Sequence, residues 1–549
     1  MGHGKPLSWF ASPLIEQDST TLTPSSPISS CFPGHADSYS ITSEKSRFNS
    51  PECGLHHTRS TCSKASTSST ESSHSYHSYD MPEFHRHGEA TTAELFYDLF
   101  FVANLSTFTS MLEINDTSSL KAYVGFFSLL WLTWYQVTLY DVRFSADSVF
   151  ERVAKASHFG VMVGFAVIGP TWKPYEAMED FRLYKVFGIM LMVSRLTLFF
   201  QYCSTLWFVY AAGYRKCILP IVMVMSSTLF AAIIYISMTE AFPSLKEGIQ
   251  AGRIVVVKQQ SNVYIAWYVV GILETLFTIG VSTIWRVISF KGTHMVQRMS
   301  LLTLIILGEG IMVICKAISK IVKSDAVFTG SIVAQIIAAI LVIYWYVEFL
   351  YMSYFDRLHE EHFGSIKQQI WSILHFPLHI MLVLVLQGIS ILVIYRQAVE
   401  TLTRLDSSLD FVRSHQHNYT TAQAYGNALN ETVYNYVFQH LPKGVDVLKQ
   451  IGMVDEAVKL IVENAGHNGT MAKDVHGASV NETAANAFAK AQNELMTATI
   501  ETLFSGLSVT VPDEDGTGTG AGTGAAAVPF EDMMQKYHDV FVLVITYVF

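Results

Sequence analysis

Residues 294–315 read His-Met-Val-Gln-Arg-Met-Ser-Leu-Leu-Thr-Leu-Ile-Ile-Leu-Gly-Glu-Gly-Ile-Met-Val-Ile-Cys. The stretch reads as a membrane-spanning helix with a carboxylate, Glu309, in its middle. Arg298 stands eleven residues earlier. Eleven residues make about three turns at about 3.6 residues per turn, so both side chains project from one face. His294 lies one turn before Arg298 on nearly that face. A charge at the bilayer centre costs roughly 2.5–3.5 kcal/mol on insertion scales, so it faces a partner or a cavity. Charged groups recur inside other apolar runs of the chain, and together they predict one interior polar site.

Those runs set the fold class. The 549 residues are 50% hydrophobic and 15% charged, with a mean hydropathy of +0.30. A soluble protein carries roughly 25% charged residues. Apolar segments at about 93–112, 120–140, 153–170, 183–210, 217–238, 262–285, 294–315, 328–351 and 368–395 predict an all-α, polytopic transmembrane helix bundle of about nine spans. The bundle would occupy residues 91–395. Residues 1–90, rich in Ser, Thr and His, read as a disordered tail. His74, His77, His85 and His87 there read as solvated, and the first residues show no signal-peptide core. Residues 396–533 read as a polar insert with amphipathic patches near 430–465 and 480–507 and a Gly/Thr/Ala linker at 512–528. Residues 534–549 form a short apolar segment, too short to span as a helix.

The remaining totals exclude several classes. A net charge of −10 argues against a nucleic-acid partner. The six cysteines follow neither a disulfide framework nor a zinc spacing. No cofactor or metal is implied. The sequons at Asn115, Asn418, Asn430, Asn468 and Asn481 would all be lumenal if the N-terminus is cytosolic and nine helices span. That fits an integral protein of the endoplasmic reticulum or another endomembrane, in contact with membrane lipid.

Four motifs occur in order over residues 93–395. Glu94-Leu-Phe-Tyr-Asp-Leu-Phe-Phe-Val resembles the first-helix motif of the low temperature requirement protein A family. The run from His294 to Glu309 resembles its central signature. The stretch from Trp345 to Tyr354-Phe355-Asp356 and the run His375-Phe-Pro-Leu resemble two later motifs. The insert at 396–533 departs from the compact form of the family. The family name records a phenotype and not a reaction. The resemblance extends to fungal membrane-bound terpene cyclases of meroterpenoid pathways. It implies protonation of a terminal epoxide on a lipophilic, farnesylated aromatic substrate, and cyclisation without change of mass.

Glu94, Asp98, Arg298, Glu309, Asp356 and His375 are the candidate site residues. Glu94 and Asp98, at i and i+4, share a helix face, and two like charges there repel unless one is protonated or paired. For the cyclase reading, Glu309 or one of that pair would donate the proton, a role that burial favours by keeping a carboxyl neutral. His375 would take the final proton. Phe96, Tyr97, Phe100, Phe101, Trp131, Trp134, Tyr135, Trp345 and Tyr346 would stabilise the cation by roughly 0.5–2 kcal/mol each. A transport or channel reading uses the same groups, because chains of Asp, Glu and His inside a bundle relay protons. There an Arg298–Glu309 pair would break and re-form. A third reading is a metal hydrolase, with His375 and His379 at i and i+4 and Asp98 or Asp356 completing the site. The competing structural readings are equally concrete. Arg298–Glu309 would be a packing ion pair. Glu274, Glu348 and Arg195 would snorkel to water. His158, His294, Asp141, Arg143 and Arg152 would be solvated at the interfaces, with Arg152 a further possible partner of the first-helix acids.

Overall fold

The apolar runs do fold as helices. The computed structural model describes residues 8–14, 84, 89–111, 117–174, 178, 180–243, 247–250, 253–256, 258–285, 288–289, 293–324, 330–355, 365–415, 418–438, 447–464, 482–506 and 542. The helices are α1 (Thr92–Met111), α2 (Thr117–Phe144), α3 (Val149–Ile168), α4 (Arg182–Ala211), α5 (Arg215–Glu240), α6 (Tyr264–Ile284), α7 (Met295–Ser324), α8 (Gly330–Leu350) and α9 (Ser365–Ser414). They fall on the nine expected spans. Seven of them, α3 to α9, are long and apolar enough to cross a membrane by composition alone. α1 and α2 are of spanning length, and their polar residues turn inward: Glu94, Asp98, Asn104, Gln136, Asp141 and Arg143 are all buried. Large apolar side chains such as Leu99, Phe230 and Ile340 lie on the outside, where lipid would meet them.

Successive helices run back and forth. His294, just before α7, meets Glu94 at the start of α1, and Thr283 near the end of α6 donates to Gln369 near the start of α9. The odd-numbered helices therefore begin at one end of the bundle, called the near end below. A short antiparallel hairpin, β1 (Glu247–Gln250) with β2 (Arg253–Val256), links α5 to α6.

Two parts of the chain differ from expectation. The boundary at residue 395 falls inside α9, a helix of 50 residues. At about 1.5 Å per residue that is roughly 75 Å, over twice a bilayer core of about 30 Å. Past the apolar run, Leu402, Leu405, Leu409 and Val412 keep a three-to-four spacing and are buried. They form a second core with α10 (Ala422–Val433), α11 (Val447–Asn464) and α12 (Glu482–Gly506), at the end opposite the near end. The polar insert is thus partly a helical cap. Its linker at 512–528 lies outside the described residues, as does nearly all of 534–549.

The second difference is in the tail. The carbonyls of Ser8 and Trp9 accept from the first backbone N–H groups of α3, Val149 and Phe150. These are donors that a helix start leaves unsatisfied. The Phe10 ring lies 5.3 Å from Phe150, and Phe84, buried against Phe144, bridges to Leu14. Apolar side chains within a polar segment dock these residues on the near end. The four tail histidines lie outside the described residues.

α7 and α9 pack tightly at Gly310. A Cβ built there would lie 1.9 Å from a methyl carbon of Leu386. Gly310→Ala is therefore expected to destabilise the bundle by about 1–3 kcal/mol. Leu386→Ala in the same chain should recover part of that loss, measured by thermal unfolding in detergent. Equal stability of Gly310→Ala and wild type would contradict this packing.

Candidate functional site

Glu94 is held first by its own helix. The Thr91 hydroxyl accepts from the Glu94 N–H at 3.4 Å, and the Glu94 carboxylate accepts from the Thr91 N–H at 2.8 Å. This reciprocal capping box satisfies two donors at the start of α1. The same carboxylate oxygen accepts from His294 Nε2 at 3.1 Å. One turn on, Asp98 Oδ1 accepts from Trp134 Nε1 and from Arg298 Nη2, each at 2.7 Å. Arg298 Nη1 lies 3.7 Å from Asp141 and 3.9 Å from Glu94. The guanidinium carbon sits 5.6 Å from the centre of the Trp134 ring, a cation–π arrangement. Thr91 is half-buried, and all the other side chains of the group are buried.

The cluster joins α1, α2 and α7 at the near end and is not balanced. One guanidinium faces three carboxyls. Glu94 Oε1, Asp98 Oδ2, Asp141 Oδ1 and the Nε and Nη1 of Arg298 have no hydrogen-bond partner. A protonated His294 would offset one more charge, and half-buried Lys155 of α3 lies within electrostatic reach of Glu94 and Asp141. What is left is a shortage of direct partners, which a proton on a carboxyl or a bound cation would fill.

Several expectations are corrected here. Arg298 does not pair with Glu309. The two share a face, but eleven residues separate them by about 16 Å along the axis. Asp141, Arg143, His158 and His294 are buried and not interfacial. Arg143 donates to the carbonyls of Leu139 and Ile288. Arg152 pairs at the surface with Asp147, at 3.0 Å, away from the first-helix acids. Arg195 and Glu274 do not snorkel: they form a buried pair at 2.6 Å between α4 and α6. Phe96 and Trp345, 53% and 71% exposed, face outward and line no interior. Asp356 lies outside the described residues, as do Asn115, Asn468 and Asn481.

The two histidines of α9 are engaged by protein. His375 Nδ1 lies 2.8 Å from the Trp371 carbonyl and must donate, so its Nε2 accepts from the Tyr354 hydroxyl at 2.7 Å. His379 Nδ1 accepts from Trp131 Nε1 at 3.1 Å, so its Nε2 donates to Thr303 at 2.9 Å. Among the described residues no three His, Cys, Asp or Glu side chains are grouped as metal ligands. Fixed in this way, the pair offers no two nitrogens to one metal.

A further buried network joins α2, α3 and α4. Glu151 accepts from the Tyr140 hydroxyl at 2.7 Å and from Gln201 Nε2 at 2.8 Å. His158 Nε2 meets Gln201 Oε1 at 3.0 Å. Sequence alone marks Glu151 as an entry residue of the third span and gives neither it nor Gln201 a site role. The Ser148-Val-Phe-Glu151 spacing of a helix start was the available signal, and Ser148 does accept from the Glu151 N–H. Glu309 lies deeper, near the middle of α7. Ser106 of α1 is one polar side chain facing it, short of hydrogen-bond geometry. A cavity of about 10 Å³ adjoins the carboxyl, lined also by Thr109 and Gln387.

The family model described as bacterial low temperature requirement A protein matches residues 89–437. That span takes in all nine helices of the bundle and continues through α10. No curated protein and no solved structure matches the chain.

The Arg195–Glu274 pair provides a structural test. Removing one partner leaves an uncompensated buried charge, a loss of about 3–5 kcal/mol, whereas an apolar pair of similar volume is near neutral. Arg195→Met alone is expected to lower the unfolding temperature strongly, and Arg195→Met with Glu274→Leu to restore most of it. Equal loss in single and double variants would show that the two charges do not act as a pair.

Proposed function

The chain belongs to the low temperature requirement A family, and for this integral membrane protein we propose proton-linked transport through the Arg298 cluster. The observation that supports it is the imbalance of charge: three buried carboxyls around one guanidinium, with an unpartnered oxygen on each acid. Asp98 holds Arg298 Nη2 directly, while Nη1 sits almost midway between Glu94 and Asp141. With a proton on Asp141, Nη1 is drawn toward Glu94. With the proton lost, Asp141 competes for it. Each carboxyl belongs to a different helix from Arg298, so the shift re-weights the packing of α1, α2 and α7. Buried acids and histidines of this kind mark proton paths in membrane proteins.

The test is flux. Purified protein in liposomes with a trapped pH-sensitive dye is expected to dissipate an imposed proton gradient in the presence of its co-substrate ion. Asp98→Asn should reduce this to the level of empty vesicles, while the surface variant Arg152→Ala retains it. No protein-dependent proton movement with any tested ion would overturn the reading.

The second reading is the epoxide-opening terpene cyclase of fungal meroterpenoid metabolism, seated in an endomembrane. Glu309 favours it, as a buried acid with neither oxygen hydrogen-bonded. Trp131 stacks on Tyr135 and packs against Phe376, giving aromatic faces in the interior. It ranks second on size. The Glu309 cavity is about 10 Å³, while ligand pockets run from about 300 Å³, so α7 and α9 would have to part to admit a farnesyl chain. Microsomes given an epoxidised farnesyl-aromatic compound would yield an isomer of unchanged mass, lost in Glu309→Gln. Absence of any isomer would set this reading aside. The lumenal sequons belong to the same picture: Asn418 is exposed, whereas Asn430 donates to Asp455.

A further inference from the structure

Away from the Arg298 cluster, α1, α7 and α9 enclose a second polar point. Glu309 and Gln387 are 3% and 7% exposed. Both Glu309 oxygens and Gln387 Oε1 have no hydrogen-bond partner, and both residues line the cavity of about 10 Å³. That volume holds about one water-sized particle. The Thr109 hydroxyl, bonded to Tyr123 at 2.9 Å, adds another oxygen. The remaining wall is apolar, formed by Leu105, Ile306, Val313, Val383 and Leu386.

We infer that this cavity binds one dehydrated sodium-sized monovalent cation, with Glu309 supplying the charge and Gln387 and Thr109 neutral oxygens. Unpartnered acceptors converge there, and acceptors without matching donors complement a positive charge and repel an anion. A single water has two hydrogens for three vacant acceptors. Hard cations take oxygen ligands of this kind. The charge is set by a single carboxylate, which balances one positive unit; the nearest protein cation acting on it, Lys316 of α7, is exposed and does not line the cavity. The size is set by the apolar wall and by Gly310, where the Leu386 side chain presses against the α7 backbone. That wall excludes a hydration shell, so the ion enters stripped of water. The site stands apart from proton coupling at Arg298: sodium binding without proton flux would support this inference and leave that function without support.

The experiment measures the thermal unfolding of full-length protein in detergent, in sodium, potassium and choline chloride at equal ionic strength. Sodium is expected to raise the unfolding temperature by several degrees over choline and to saturate, with potassium weaker. Gln387→Leu should raise the half-saturating sodium concentration by about tenfold, and Glu309→Gln should abolish the response. Binding of radioactive sodium to the wild-type protein, displaced by excess sodium and not by choline, gives the same answer without a variant. Identical unfolding temperatures in all three salts with no saturable sodium binding would overturn the site. So would an unchanged sodium response in Glu309→Gln, and in either case Glu309 and Gln387 would simply satisfy one another.

Discussion

A single buried guanidinium fixes the near end of this bundle. Arg298 touches Asp98 on α1 and reaches Glu94 on α1 and Asp141 on α2, while Trp134 of α2 covers its face. The sequence separation of these groups runs to about 200 residues, so their meeting specifies how α1, α2 and α7 pack. Taking such charges out of water is costly, and a buried ion pair adds little net stability. It restricts the alternatives instead. A helix rotated or slid by one turn would leave a bare charge in a low-dielectric interior. The neighbouring interactions point the same way: the capping box fixes the first turn of α1, and His294 ties it to the start of α7.

The interior divides by depth along α7. At the near end lie the charged groups, Arg298 and its acids. The Thr303–His379 bond follows, with neutral donors and acceptors fully matched between α7, α9 and α2. Deeper still, Glu309 and Gln387 face a small apolar-walled cavity. Arg195–Glu274 is separate, an isolated pair bridging α4 and α6. Along α7 itself, the Arg298 cluster and the Glu309 cavity hold buried carboxylate oxygens without a partner among the described residues, as does Glu274 in the separate pair. The matched histidine pair between them reads as structure, because every ring nitrogen already has a partner.

The nine helices, seven of them long and apolar enough to span, were legible in the sequence because a membrane helix must satisfy its backbone internally and show lipid an apolar surface, both local properties. The i, i+4 pair Glu94–Asp98 was legible for the same reason, and so was the need for a cation beside it. The identity of that cation was not. Helical periodicity gives a direction around the axis and no distance, so Arg298 and Glu309 looked like partners when they are about three turns apart. Asp141, His158 and Arg195 looked interfacial because they lie near charged flanks or in long helices. Their burial depends on which helices pack together, and hydropathy does not encode that. At residue 395 polarity rose while the leucine spacing continued, so one helix runs on unbroken as its contacts pass from the core of the spans to the core of the cap.

α9 is one rod shared by two bodies. Its first half lies among the spans, and its second half is the spine of the helical cap. Pro377, near the near end, has no N–H to give the Ile373 carbonyl, which makes it the weakest point of the rod. From Pro377 to Ser414 the helix extends roughly 55 Å at about 1.5 Å per residue. A bend of about 5° at that proline would carry the far tip through about 5 Å, a displacement near one helical turn. The rod therefore has the geometry of a lever: a small bend beside His375 and His379 would be magnified at the cap of α10, α11 and α12 at the opposite end of the bundle.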